Sequence, residues 1–266
     1  MTLPAKDLPR PSLKLLFFPQ RDAEYVHFER SDDVPFEDLA QTFSAINAWY
    51  LADAALLAYW PPDKAPLAFA RAGFVDTQFF SNASTQCYVA SNDRTAIVTF
   101  RGTQINQLED ALADADALLV KWDAEGRVHR GFLSALDDVW RPLHDHLLAL
   151  EGRTIWMTGH SLGAALATLA ARRWIVEGHS VGGVYTIGSP RIGDGGFASG
   201  VNQALSGKCF RYVNGQDGVT KLPFEQWGYA HTSGERSFAS SKDALIDHTP
   251  RRYATLIWND LVIAAV

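Results

Sequence analysis

Two cysteines in 266 residues cannot build a disulfide framework of several bridges, and neither has a partner at metal-ligand spacing. Cys87 and Cys209 each lie in an apolar stretch, TQCYVAS and KCFRYVN, and both read as buried free thiols. Charge of one sign is also scarce. The 30 acidic and 24 basic side chains interleave to a net charge of −6, leaving no basic stripe to neutralise phosphates, which argues against nucleic acid as a partner. Long apolar runs are missing too. The late run LVIAAV has six residues, where a membrane-spanning helix needs about 20. The early LLFF, flanked by Lys14 and Pro19, is too short for the apolar region of a secretory leader. These absences lead us to expect a cytoplasmic protein with reduced thiols and no export signal.

What is present is apolar residue, 47% of the chain, enough for one large α/β domain over 1–266. No repeat or linker divides it. Phe36, Leu39, Phe43, Ile46, Tyr50, Ala54 and Leu57 recur at steps of three or four, predicting an amphipathic helix that Pro61 and Pro62 stop. TQCYVAS and TAIVTF flank NDR and predict a hairpin. Beyond it the chain alternates: a helix over 131–150, the strand TIWMT, the helix LGAALATLAARRWIV, the strand GGVYTIGS, the helix GGFASGVNQAL, the strand KCFRYV and a helix over 250–264. That order predicts an α/β fold with a central, mostly parallel sheet flanked by helices. Sites in such sheets lie beyond the strand C-termini, where Ser161 falls.

Ser161 sits between Gly159 and Gly163 in TGHSLGAAL. A nucleophile elbow turns sharply from strand to helix with the serine hydroxyl exposed, and flanking glycines relieve the crowding. The plain alternative is a Gly-Ser turn without chemistry, but a strand before and an alanine-rich helix behind favour the elbow. A serine nucleophile needs a histidine base and an acid to orient it, in the chain order Ser, acid, His. Asp217, just past a strand in RYVNGQDGVTKLP, is the favoured acid. Asp194, after GSPRIG, is its rival, and either fits an ordinary turn aspartate. His248, before the helix start Thr249-Pro250, is the favoured base and His231 the alternative. His129 precedes the serine, and His160 lies inside the elbow. His144 and His146 are two apart and face different sides of one helix, so metal binding is not expected of them.

The blocks VTFRGT, VHRGF, GHSLGAAL, GSPRIGD, YVNGQDGVTKLP and DHTPRRY, in that order, resemble those of the class 3 (fungal-type) lipases from about Trp49 to Tyr253. The resemblance implies the α/β-hydrolase fold and carboxylic-ester hydrolysis by a Ser161-Asp217-His248 triad, with His231 in a structural position. It also implies an oxyanion hole at Thr103 and the backbone N–H of Leu162. Each such donor contributes about 3 to 4 kcal/mol to acyl transfer. No metal or organic cofactor is implied. The expected partner is a small ester or lipid, met through transient contact with a lipid interface, by an enzyme of the triacylglycerol lipase type active in lipid degradation. A phospholipase, a feruloyl-type esterase or an acyltransferase would use the same triad, and a silent hydrolase-fold binding module would leave it idle.

The resemblance further implies a helical lid over 104–119. There Ile105, Leu108, Leu112, Ala115 and Leu119 share one face, and Glu109, Asp110, Asp114 and Asp116 line the rest. A moving lid and a fixed packed helix both fit this pattern. The modest stripe and acidic face predict weak interfacial activation.

Overall fold

A computed structural model describes residues 3–264, apart from 10, 11, 13, 14, 16, 17, 23, 84, 104–117, 240 and 242. The expected hairpin forms. Strand β2 (Thr85–Ser91) pairs antiparallel with β3 (Thr95–Phe100), and Asn92 closes the turn by accepting from the Arg94 and Thr95 N–H groups at 3.0 and 2.9 Å. Strand β1 (Asp76–Asn82) adds antiparallel on the outer side. From β3 onward the pairing is parallel, through β6 (Thr154–His160), β7 (Gly183–Ile187), β9 (Cys209–Asn214) and β11 (Glu235–Phe238). The order across the sheet is β1-β2-β3-β6-β7-β9-β11. Phe100 stands opposite Gly159, so β3 ends level with the turn that carries Ser161.

The strands alternate their side chains between two apolar layers, as a sheet covered on both faces requires. Cys87, Val89, Val98 and Met157 pack with helices α3 (Arg130–Ala149), α4 (Leu162–Val176) and α5 (Gly195–Ala204). Tyr88, Ile97, Trp156 and Tyr185 pack on the other face with α1 (Ala45–Leu57), α2 (Ala65–Arg71) and α7 (Pro250–Ala264), which follows the short α6 (Ala244–Asp247). Burial pushes the Cys209 thiol up to about 11 and the Cys87 thiol higher still, so neither is a thiolate at neutral pH. Among the described residues, no helix is long and apolar enough to cross a membrane.

The first helix departs from expectation in two ways. It begins at Ala45, where Ser44 accepts from the Asn47 N–H at 3.0 Å as N-cap, and not at Phe36. Phe36 and Phe43 reach the core from a loop instead, edge-on to Trp156 at 5.4 Å and tilted over Tyr185 at 6.2 Å. The buried Asn47 amide latches that loop, accepting from the Glu37 N–H and donating to the Glu37 carbonyl. Nor is α1 amphipathic. It is buried from Asn47 to Leu57, because the sheet covers one side and α7 the other, with Trp49 and Trp258 in contact at 4.8 Å.

A second small sheet, in the order β10-β8-β5-β4, comprises Tyr229–Ala230, Gly193–Asp194, Arg127–His129 and Leu119–Lys121. Leu119, expected on a helix face, lies in β4 opposite His129. The remainder of the expected lid, 104–117, lies outside the described residues.

Candidate active site

Strand β6 continues two residues past its expected end, to His160, and α4 starts at Leu162. Ser161 must make the whole turn, and it does so at φ +61° and ψ −127°, a strained setting for a residue with a Cβ. Both glycines of the motif are dictated by contact. A Cβ at Gly163 would collide with the Phe100 carbonyl of β3, and one at Gly159 with the Gly163 carbonyl. The first turn of α4 therefore lies directly on the end of the sheet.

Two loops converge on this turn. His248 Nε2 lies 2.9 Å from Ser161 Oγ, and His248 Nδ1 lies 2.9 and 2.8 Å from Asp217 Oδ1 and Oδ2. With Nδ1–H donating to the carboxylate, Nε2 is left as the acceptor for the serine hydroxyl. Asp217 is fully buried, and its oxygens also accept from the Val219 N–H at 3.0 Å and the Tyr253 hydroxyl at 2.7 Å. Asp247 ties the two loops together, accepting from the Gln216 and Ser241 N–H groups at 3.0 Å.

His160 lies behind the histidine. Burial, and next the neighbouring His248, hold it well below its ordinary pKa, so it is neutral. Its Nε2 donates to the His248 carbonyl at 2.8 Å, which leaves Nδ1 to accept from the Tyr59 hydroxyl at 2.9 Å. Sequence reasoning gave no role to Tyr59, Tyr253 or Asp247. Tyr253 had one available signal, a place in the first turns of a helix entered just after His248.

The remaining predicted positions surround the serine. Leu162 opens α4, so its N–H has no acceptor within the helix and stands at the positive end of the helix dipole. Gly102 follows β3, and a Cβ there would lie 3.2 Å from that of Ser161; Thr103 is the next residue. The arrangement offers a hydroxyl that a buried imidazole can deprotonate, at the N-terminal end of α4.

The family model described as Lipase (class 3) matches residues 97–227, a span holding Thr103, Ser161 and Asp217. Over that span the chain is similar to the class 3 lipases. Its curated relatives include the secreted mono- and diacylglycerol lipase 1 of Fusarium solani, 39% identical over 41% of this chain and 33% of that protein. The secreted mono- and diacylglycerol lipase LIP4 of Malassezia restricta is 31% identical over 52% of this chain and 50% of that one. The chain thus spans a third to a half of the curated relatives it matches. Among solved structures, a mutant form of MDLA from Penicillium cyclopium aligns over 74% of this chain and 80% of that one, at 26% identity and a TM-score of 0.59. The Rhizomucor miehei triacylglyceride lipase aligns over 71% and 77%, at 26% identity and 0.56. The fold is the α/β-hydrolase fold. The cytoplasmic expectation is corrected by the same relatives, which are named as secreted. Scarce cysteine and a short early apolar run say little about compartment when a large core, and not disulfides, holds the fold.

In this chain the rival side chains hold other posts. Asp194 is the N-cap of α5, accepting from the Phe197 and Arg127 N–H groups at 3.0 Å and from Arg127 Nε at 3.2 Å. His231 donates from Nε2 to the Thr220 carbonyl at 2.6 Å. His129 caps α3, its Nδ1 accepting from the Gly131 and Phe132 N–H groups.

Proposed function

We propose that this chain is a serine carboxylic-ester hydrolase, one domain over 1–266, acting on acyl glycerides outside the cell. The observation that carries the reading is the buried relay from Ser161 Oγ through His248 to Asp217, with 2.9 Å between oxygen and imidazole. Ser161 Oγ attacks the ester carbonyl while His248 Nε2 takes its proton. Asp217 holds the Nδ1–H and stabilises the imidazolium. The N–H groups of Thr103 and Leu162 stabilise the tetrahedral oxyanion. His248 then protonates the leaving alcohol, and water, deprotonated by the same imidazole, releases the acid and restores Ser161. The relatives' names, mono- and diacylglycerol lipase, support partial glycerides as substrates.

A serine-directed phosphonate, followed by mass spectrometry, tests this reading. Labelling of Ser161 is expected, and Ser161→Ala is expected to remove both labelling and ester turnover while the fold stays intact. A folded Ser161→Ala protein with near-normal turnover would refute it. A panel of monoacylglycerol, diacylglycerol, phospholipid and feruloyl esters, with added acceptor alcohols, assigns the substrate. Preference for a partial glyceride is expected; a phospholipid preference or dominant acyl transfer would overturn the substrate assignment and leave the nucleophile standing.

A further inference from the structure

We propose that His144, Glu177 and His179 bind a divalent zinc-type cation where the ends of α3 and α4 meet. Each offers one ligand atom, and the three atoms lie within 4.8 Å of one another. His144 Nε2 and Glu177 Oε2 are 3.2 Å apart. Donors on a tetrahedral zinc ion with bonds of about 2.1 Å are separated by about 3.4 Å, so that edge already has the right length. His179 has to close by at most about 1.4 Å, a shift that side-chain torsions supply. Two imidazoles and one carboxylate suit zinc and its neighbours, and not calcium or magnesium, which prefer all-oxygen shells.

The surroundings hold these groups in place. After α4 the chain makes a Schellman turn: Gly178, at φ +95°, donates to the Ile175 carbonyl at 3.0 Å and His179 donates to the Trp174 carbonyl at 3.2 Å. This closure fixes the backbone under Glu177 and His179. Trp174 orders both rings, lying parallel to His179 at 3.8 Å and edge-on to His144 at 5.6 Å. On the far side of the His144 ring, Asp145 Oδ1 lies 3.3 Å from Nδ1. A carboxylate there fixes the tautomer that presents Nε2 to a metal. Asp145 in turn receives Arg141 Nε at 2.9 Å. The carbonyl end of α4 adds a favourable potential for a cation, and His179 lines an open groove that gives an ion access.

The site lies at the opposite end of α4 from Ser161, about 22 Å away by the rise of a helix of this length. Its role is to clamp α3 to α4, and not to assist the chemistry. His146 takes no part, since its ring packs against Phe80 at 5.5 Å. Pairing histidines along one helix therefore missed a site whose other ligands come from the next helix.

Chelator-stripped protein is titrated with zinc sulfate by calorimetry, with melting temperature read in parallel. One zinc per chain with micromolar or tighter affinity is expected, together with a rise in melting temperature. His144→Ala, His179→Ala and Glu177→Gln should each weaken binding at least tenfold and remove the thermal shift, while His146→Ala leaves both unchanged. Circular dichroism verifies that each variant is folded. Cobalt should give the strong visible absorption of a tetrahedral site. Absence of stoichiometric binding, or zinc binding that survives all three ligand changes, overturns the proposal.

Discussion

Asp217 and Asp194 both sit beside glycine, yet their surroundings give them different work. Asp217 is fully buried against His248, whereas Asp194 satisfies the first turn of α5. Asp217→Asn removes the acceptor that sets the His248 tautomer and is expected to lower kcat by about 10⁴, the size of the tautomer effect in serine proteases. Asp194→Asn should leave kcat nearly unchanged and cost at most about 1 kcal/mol of stability through a weaker cap. Steady-state rates with urea unfolding separate the two, and a larger kcat loss in Asp194→Asn would assign the acid wrongly. Ser161 offers a second residue-scale test. Its φ of +61° suits glycine, so Ser161→Gly and Ser161→Ala, both without a nucleophile, should differ in stability by about 1 kcal/mol in favour of glycine. Equal stability in urea would mean that the elbow relaxes without its hydroxyl and stores no strain.

Elements were legible where one physical cause set them. The β2-β3 hairpin follows from two β-branched runs around Asn92, and α4 from alanines that bring it close to the sheet. The start of α1 was not legible, because apolar spacing from Phe36 onward is the same whether those side chains reach the core from a helix or from a loop. Ser44 decides it locally through its cap, and Asn47 through bonds to Glu37. The convergence of Ser161, His248 and Asp217 could be anticipated because each of the three stretches carries a local pattern. Tyr59, Tyr253 and Asp247 could not, since their contacts join segments distant in sequence. The elbow is also where element packing is tightest. Gly163→Ala would push a methyl into the Phe100 carbonyl, displacing the first turn of α4 from β3. Overpacking of this kind costs about 1 to 3 kcal/mol. Because the same turn carries Ser161 and the Leu162 N–H, kcat should fall by more than tenfold in protein that still folds. A variant with wild-type kcat and unchanged urea midpoint would show that α4 has room this packing denies.

For the molecule as a whole, buried histidines set the response to acid. Burial chiefly pushes His27 down to about 3, and burial with the charge of Arg211 pushes His231 down to about 3. His27 lies edge-on to Tyr25 and Trp60, in buried surroundings that disfavour a charged ring. Above about pH 6.5 both histidines are neutral whether the chain is folded or not, and their contribution is fully present. As pH falls from there toward 3, the unfolded chain takes up protons that the native state refuses, so stability declines by about one proton's worth per histidine. Asp53 acts in the opposite sense. Burial raises it to about 6, so its contribution is fully present below the ordinary carboxylate value near 3.8 and is lost as pH rises through 6. His160 is held down in the same way, so between about pH 4 and 6 the aspartate offsets one of three histidines and the other two set the sign: the protein weakens on acidification. Urea unfolding at pH 6, 5 and 4 measures the slope. His27→Gln and His231→Gln should each reduce it by about one proton, with each variant compared to its own stability at pH 7.5, so that lost packing does not enter. If both variants keep the wild-type slope, these histidines accept protons in the native state, and acid sensitivity arises from the carboxylates.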